Sequence, residues 1–291
     1  MSPVRPALAE PLSRCARGEV PANVALVHLF LSAADPDEVA AALAQARTGA
    51  SEDAARRLSA VEAAFHAHPG AFALAKAVLA DVEHGGEAAT TEEGIARWAA
   101  VFDRAAAISP EVGVALYSLG SPDLLRAATD EIVATMAAWG LLAPDRVALD
   151  IGCGSGRMEE ALAPRLRGVV GLDVSARMLA VAGRRRPGNA LLVRGSGRDL
   201  APFRDGSFDL VLAVDSFPYL VQAGAALARR HVAEAARVLA PGGDLLILNY
   251  AYEGGAADLA AVAGEAGLAV RRFGERPFAL WDAAAFHLVK G

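Results

Sequence analysis

The sequence predicts an α/β protein in which an open, mainly parallel sheet follows an all-helical segment. From residue 121 onward, short apolar strand-like segments alternate with helical segments, which is the rhythm of a parallel α/β sheet. From residue 20 to about residue 107, Ala, Leu and Glu recur at helical spacing without any strand-like run. We therefore expect two domains, a helical one over residues 1–110 and an α/β one over residues 111–291.

Composition narrows the class of protein. Hydrophobic residues make up 54% of the 291 residues and charged residues 21%, a balance that can bury a large core and argues against disorder. The formal net charge of -6 gives no attraction to phosphate backbones or anionic lipids, so we expect neither nucleic acid nor membrane as a partner. Cys15 and Cys153 fall in separate predicted regions, which fits a reducing compartment. With no secretory signal expected in the first ten residues, the predicted location is the cytoplasm.

Short polar and proline-containing motifs mark where the predicted helices start and stop. The starts are Asp35-Pro36, Ser51-Glu52-Asp53, Thr90 and Ser121-Pro122, and the breaks are His68-Pro69-Gly70, Gly85-Gly86 and Ser109-Pro110. They divide the first segment into four or five short helices, the last of which runs through Trp98 and Phe102 to about residue 107. The helix after Ser121-Pro122 is expected to end near Gly140.

Seven apolar segments are predicted strands. They are residues 146–151, 168–173, 190–193, 208–214, 244–250, 269–273 and 284–289, with a helix near 256–266. Right-handed crossovers would join the parallel strands into one sheet, with an antiparallel addition at its end.

A glycine loop follows the first predicted strand. The segment runs Leu149-Asp150-Ile151-Gly152-Cys153-Gly154-Ser155-Gly156. Glycines at this position let a ligand approach the backbone closely, although a tight strand-to-helix turn alone would also explain them. The dinucleotide pattern G-x-G-x-x-G is not met, because Arg157 stands where the third glycine would fall. A nicotinamide or flavin cofactor is therefore disfavoured.

An acidic residue ends the second predicted strand. Asp173 lies where a carboxylate can accept hydrogen bonds from both hydroxyls of a ribose. Its alternative role is to cap the next helix, but Ser175 can fill that role equally well. Met178, taken alone, would be a core residue.

These segments resemble the first motifs of class I S-adenosylmethionine-dependent methyltransferases, of the small-molecule, UbiE-like type. In that family a hydrophobic strand and an acidic residue precede G-x-G-x-G, and an acidic residue ends the second strand. The resemblance covers about residues 123–291 and includes the Leu239-Ala240-Pro241-Gly242-Gly243 turn, whose role is structural. It implies a seven-stranded sheet in the order 3-2-1-4-5-7-6, S-adenosylmethionine as methyl donor and S-adenosylhomocysteine as product.

The resemblance also implies donor-binding residues. They are Tyr117, Asp150, Gly152, Cys153, Gly154, Gly156, Asp173, Val174, Met178, Ser196, Gly197, Val214 and Asp215. Met178 would lie against the adenine, and Cys153 would be a small packing residue without a nucleophilic role. Ser196 stands where many relatives have an acidic residue that accepts from the adenine amino group, and Asp199 could substitute for it or cap a turn. Tyr117 would form a lid over the donor or pack at the joint between domains.

Methyl transfer from a sulfonium requires alignment and exclusion of water more than a strong base. If the acceptor carries a proton, Asp215 and Tyr219 are the candidate catalytic residues, with Tyr250 and His231 as further candidates. Tyr219 and Phe217 could line the acceptor site or pack a helix. We expect His231, which follows two arginines on a predicted helix, to be a solvated surface residue.

The predicted function is methylation of a small molecule at an O, N or C atom. No N-P-P-Y tetrad is present, which disfavours amino-group methylation of nucleobases and glutamine. The alternatives are methylation of a protein or peptide, and a non-catalytic partner protein that binds the donor or its product. The helical domain would cover the sheet edge, shape the acceptor pocket or form a homodimer interface. No metal is expected, because His66, His68 and His84 do not share a helix face.

Overall fold

A computed structural model describes residues 5–80, 90–252 and 256–291. Within these residues, seven strands form one sheet in the order β3-β2-β1-β4-β5-β7-β6. The strands are β1 (Val147–Ile151), β2 (Gly168–Asp173), β3 (Ala190–Arg194), β4 (Phe208–Val214), β5 (Leu239–Leu248), β6 (Leu268–Glu275) and β7 (Ala285–Lys290). β1 to β5 pair in parallel, and β7 runs antiparallel to both β5 and β6. The predicted fold class and strand order are confirmed.

Helices precede the sheet and connect its strands. They are α1 (Pro6–Ala16), α2 (Ala22–Ser32), α3 (Pro36–Arg47), α4 (Glu52–Ala67), α5 (Ala71–Leu79), α6 (Thr91–Ile108), α7 (Pro110–Val114), α8 (Pro122–Ala138), α9 (Arg157–Leu162), α10 (Ala176–Arg185), α11 (Phe217–Ala223), α12 (Ala225–Val238) and α13 (Leu259–Glu265), with short 3₁₀ turns at Leu116–Ser118 and Ala163–Arg165. The predicted helix starts at Asp35 and Ser51 are confirmed, since both side chains accept a hydrogen bond from the first turn. The predicted loop at Gly85-Gly86 and His84 lie outside the described residues. No helix among the described ranges combines the length and apolar character needed to cross a bilayer.

The beginning of β5 corrects the sequence prediction. We expected a turn at residues 239–243 and a strand from residue 244. Instead, Leu239 already pairs with Phe208, and the register then shifts so that the next pair is Leu210 with Asp244. The residues between are accommodated as an irregularity of the strand, because the fully buried Leu239 side chain anchors its start in the core.

Contacts group the described residues into two compact units. The first contains residues 5–80, 108–131 and 278–282, and the second contains residues 90–107, 132–252, 256–277 and 283–291. The core of the first unit is helical, with Leu12, Leu26 and Phe30 among its fully buried side chains. The second unit holds the whole sheet and also α6 as far as residue 107. The division into two domains, residues 1–110 and residues 111–291, stays a prediction.

In the second unit, α6 packs against the segments that follow β2, β3 and β4. A capping box opens the helix, since the Glu93 amide donates to Thr90 Oγ1 and the Thr90 amide donates to Glu93 Oε2, both at 3.2 Å. Gly94 contacts the end of α11 so closely that a Cβ there would lie 2.8 Å from the Cα and Cβ of Ala223. Close packing at this point sets how near α6 comes to the carboxyl edge of the sheet.

Substitution of Gly94 tests this packing. Gly94→Ala should lower the free energy of unfolding by about 1–3 kcal/mol, because overpacking outweighs the gain of about 1 kcal/mol in helix propensity. Gly183→Ala is the matched control, since Gly183 is an exposed helical glycine on α10 with open space around its Cβ position. The control should be neutral or stabilising by up to about 1 kcal/mol. Denaturant unfolding followed by circular dichroism measures both, and equal stabilisation of the two variants would contradict the packing.

Candidate functional site

The glycine loop between β1 and α9 fits its surroundings only as glycine. Gly152 and Gly156 have φ values of 78° and 81°, in the left-handed region. A Cβ at Gly152 would lie 2.5 Å from the Cβ of Ser216, and one at Gly156 would lie 2.8 Å from the Cβ of Ala182. The loop therefore lies directly against the segment after β4 and against α10. This leaves its backbone amides at the carboxyl edge of the sheet, where open α/β sheets bind ligands.

Asp173 is tied to this loop by hydrogen bonds. Its Oδ2 accepts from the Gly154 amide at 2.8 Å, and its Oδ1 accepts from the Ser175 amide at 2.7 Å. Burial raises the pKa of Asp173, and these N–H donors offset part of that effect. Ser175 itself caps α10, since its Oγ accepts from the Met178 amide at 3.0 Å. Ser175 therefore fills the helix-capping role that was the alternative interpretation of Asp173.

A second acidic group lies behind the loop. Asp150 at the end of β1 and Glu159 on α9 are each 1% exposed. Burial first and the charge of Asp173 second raise the pKa of Asp150 to about 7, while the charge of Arg157 and a hydrogen bond with Glu159 act in the opposite direction. Burial first and the charge of Asp150 second raise the pKa of Glu159 well above its usual range. The sequence analysis missed Glu159, because nothing in the local pattern shows that it faces inward while Glu160 is exposed.

The expected adenine side combines predicted residues with one from α6. Met178 is fully buried, and Gly197 has a φ of 76°. A Cβ at Gly197 would meet Ile95 of α6 at 2.8 Å and Val174 at 2.9 Å. Ile95 was not predicted, since it lies about a hundred residues away in the sequence, within the segment assigned to the helical domain.

Two polar side chains near Gly197 have local partners. Ser196 is exposed, and its Oγ accepts from the Arg198 amide at 3.2 Å. Asp199 Oδ1 accepts from the Ala201 amide at 3.2 Å, which is the turn-capping geometry considered as one of its two roles.

A polar group follows β4, at the point where Val214 ends the strand. Asp215 has a φ of 58°, an uncommon conformation for a residue with a side chain. Its Oδ1 accepts from Asn249 Nδ2 at 2.8 Å and from the Tyr252 hydroxyl at 3.0 Å. The Tyr252 and Tyr219 hydroxyl oxygens are 3.1 Å apart. Asn249 and Tyr252 were not predicted, because they reach this point from the end of β5.

Tyr219 and Tyr252 belong to an aromatic cluster with Trp98 and Phe102 of α6. Ring centroids lie 4.6 Å apart for Trp98 and Tyr219, 4.9 Å for Phe102 and Tyr219, and 5.8 Å for Tyr219 and Tyr252. Burial first and the nearby charge of Asp215 second raise the pKa of the Tyr219 phenol above the usual value for tyrosine, and the pKa of the half-exposed Tyr252 phenol is raised as well. Both therefore carry their protons at neutral pH and act there as hydrogen-bond donors.

Other candidates from the sequence occupy the core. The expectation that His231 is a solvated surface residue is wrong, because it is 2% exposed and its Nδ1 lies 3.0 Å from the Leu227 carbonyl oxygen on the inner face of α12. Burial lowers the pKa of His231. Phe217 is fully buried and stacks on the buried Tyr250 with ring centroids 5.6 Å apart, so both rings pack the core.

Tyr117 lies in the first unit. Its ring stacks on Trp281 with centroids 5.2 Å apart, and its carbonyl oxygen accepts from Asn23 Nδ2 at 2.8 Å. His66 is exposed and His68 is half-buried. Among the residues with described placement, no group of three or more His, Cys, Asp and Glu side chains could hold a metal ion.

Comparison with known proteins identifies the domain that contains this site. A family described as "Methyltransferase domain" matches residues 149–247. A demethylmenaquinone methyltransferase of Tropheryma whipplei is 33% identical over 114 residues, which is 39% of this chain and 45% of the relative. An 18S rRNA (guanine-N(7))-methyltransferase of Schizosaccharomyces pombe is 40% identical over 78 residues, 26% of this chain and 28% of the relative. The matches span less than half the length of these curated relatives.

A solved structure shares the fold at greater length. Phosphoethanolamine N-methyltransferase 1 of Haemonchus contortus, in complex with phosphoethanolamine and S-adenosylhomocysteine, has a TM-score of 0.57 and 15% identity, and the match covers 69% of this chain and 49% of that chain. The family match covers the glycine loop and Asp173, and the strand order agrees with the fold that the family resemblance predicts. Residues 149–247 therefore match a methyltransferase domain, and the sheet around them has the strand order of class I S-adenosylmethionine-dependent methyltransferases.

Proposed function

We propose that this protein transfers the methyl group of S-adenosylmethionine to a small-molecule acceptor at the carboxyl edge of the sheet. The observation that carries the proposal is that the glycine loop and Asp173 are held together by the 2.8 Å hydrogen bond from the Gly154 amide. Gly152 and Gly156 hold the loop against Ser216 and Ala182, where a Cβ at either glycine would clash. These features fit a nucleoside whose ribose lies at Asp173 and whose amino-acid portion lies on the loop.

The remaining donor contacts follow the resemblance residue by residue. Val174, Met178 and Gly197 would enclose the adenine, with Ser196 beside it and Ile95 of α6 completing this side. Val214 and Asp215 would lie beside the reacting methyl group, with Cys153 packing behind the loop. The place of Tyr117 over the donor stays a prediction.

The acceptor side is proposed to be the aromatic cluster and Asp215. In the reaction, a lone pair of the acceptor atom forms a bond to the methyl carbon while the carbon–sulfur bond breaks, and the electron pair stays on the resulting thioether. Aromatic rings around this point would exclude water and align the acceptor. Where the acceptor atom carries a proton, the Asp215 carboxylate is placed to take it, and Tyr219 would donate a hydrogen bond.

Relatives leave the acceptor open. The Tropheryma whipplei relative is named for demethylmenaquinone and the Schizosaccharomyces pombe relative for 18S rRNA. The net charge of -6 favours a small molecule over RNA, since RNA-binding surfaces attract phosphates with positive charge. An acceptor screen with isotopically labelled donor, including total RNA and protein fractions, distinguishes these classes.

Donor binding gives the first test. Titration calorimetry should show saturable binding of S-adenosylmethionine and S-adenosylhomocysteine to the wild type. Asp173→Ala should weaken both about 10- to 100-fold, because each hydrogen bond to a charged group contributes about 1.5–3 kcal/mol. Asp145→Ala is the matched control, since Asp145 is exposed before β1. Absence of binding to folded, ligand-free wild type would defeat the proposed function.

The acceptor side gives a second test. With any acceptor found in the screen, Tyr219→Phe should leave the donor Kd within about twofold and lower kcat/KM about 3- to 10-fold, the cost of about one hydrogen bond. Asp215→Asn should lower kcat more strongly, by roughly 100-fold or more, if the carboxylate takes a proton. Steady-state kinetics measures both. Unchanged kcat/KM in both variants would show that the acceptor does not bind at this cluster.

A further inference from the structure

Asp150 and Glu159 form a carboxyl pair enclosed by the protein. No N–H or O–H group of the described residues donates to Asp150 Oδ1 or to either oxygen of Glu159. The two carboxyl groups are close enough for one to donate a hydrogen bond to the other once it carries a proton. Two buried carboxylates without such donors cannot both be ionised at modest cost, so the pair holds at least one proton.

The space for the pair is created by Gly171 on β2. Gly171 is the register partner of Asp150, so both residues direct their Cβ positions to the same face of the sheet. A Cβ at Gly171 would lie 2.6 Å from Glu159 Oε1 and 2.9 Å from Cys153 Sγ. The missing side chain on β2 thus admits an acidic side chain from α9 to the back of the glycine loop.

The charges around the pair are mostly acidic. Asp173 of β2 acts on both members, and the Cys153 thiol of the loop has a pKa raised well above its usual value, so it remains neutral. Arg157, at the start of α9, is the cation that acts on Asp150. A cation placed on the glycine loop would add to the effect of Arg157 and favour ionisation of the pair.

We propose that Glu159 is a positioning residue for the methyl donor: its protonated carboxyl donates a hydrogen bond to Asp150, and a cationic donor on the glycine loop displaces the proton of Asp150 to solvent. The inference rests on the proposed function, since it assumes that S-adenosylmethionine binds the loop. Glu159 acts through Asp150, and no contact between Glu159 and the donor is required. The donor carries one more positive charge than S-adenosylhomocysteine, because the product has a neutral thioether in place of the sulfonium. The donor should therefore release more protons than the product.

The sign of the pH dependence follows from the unliganded state. Burial raises the pKa of Asp150 to about 7, and a bound cation lowers it again. The donor consequently prefers ionised Asp150, a form that is depleted as pH falls below this value. Affinity for S-adenosylmethionine should weaken by up to about tenfold from pH 8 to pH 6, the linkage limit for one proton with this pKa.

Calorimetry of the full chain tests the proposal. S-adenosylmethionine and S-adenosylhomocysteine are titrated at pH 6, 7 and 8 in phosphate and in Tris, two buffers whose different ionisation enthalpies reveal the number of protons released. Glu159→Leu, which removes the hydrogen-bond donor to Asp150, should move the proton release and the pH dependence to higher pH, whereas Glu159→Gln, whose amide can donate the same hydrogen bond, should keep the wild-type behaviour. Glu160→Gln, the exposed neighbour on the same helix, should behave as the wild type.

The outcomes separate this inference from the proposed function. Donor binding by the wild type without proton release, and with a Kd independent of pH, overturns the inference alone. Proton release and pH dependence of Glu159→Leu equal to those of the wild type also overturn it, because the protons then come from another group such as Asp173. No donor binding at any pH overturns the proposed function instead. Circular dichroism checks folding, and the wild-type contrast between donor and product remains decisive if Glu159→Leu does not fold.

Discussion

The turn from β1 into α9 is the constraint on which the rest of the site depends. Gly152 and Gly156 need left-handed backbone, and both lack room for a side chain because Ser216 and Ala182 stand against them. With the loop held there, the Gly154 amide reaches Asp173 across the gap between β1 and β2. The conformation of this loop thereby fixes the positions of the loop amides, of Asp173 at the end of β2 and of the segment after β4. These are the three parts that a nucleoside methyl donor would touch.

Local pattern was sufficient to predict the strands and the glycine loop, whereas the strand order came from the family resemblance. A parallel strand is buried on both faces, so each appears as a short apolar run, and glycine, proline or a capping residue marks its end. The same reasoning located Asp173, because the residue at the end of a predicted strand can be identified from the sequence alone. It failed at β5, where Pro241, Gly242 and Gly243 have the composition of a turn but lie within an irregular strand. Burial of Leu239, which depends on the neighbouring strand, decides that case.

Residues brought in from a distance could not be predicted. Whether Glu159 or Glu160 faces inward depends on how α9 rotates against β2, and the space that receives Glu159 is created by Gly171 on another element. The prediction for His231 failed for the same reason. The two preceding arginines suggested a solvent-exposed helix face, but His231 itself faces the core. Helix α6 lies in the segment assigned to the helical domain, yet Ile95 and Trp98 contact Val174, Gly197 and Tyr219 within the unit that holds the sheet.

Helix α6 links the two halves of the proposed site. Asp103 Oδ1 accepts from Ser175 Oγ at 2.5 Å and from the Arg177 amide at 3.0 Å, beside the segment that holds Asp173. One turn earlier on the helix, Trp98 packs on Tyr219. The Tyr219 hydroxyl lies beside that of Tyr252, which donates a hydrogen bond to Asp215. Because a single rigid helix contacts both halves, a donor that reshapes the adenine side would also shift the aromatic cluster. In the proposed function, a cationic donor bound on the glycine loop would offset the negative charge gathered at Asp150, Glu159 and Asp173.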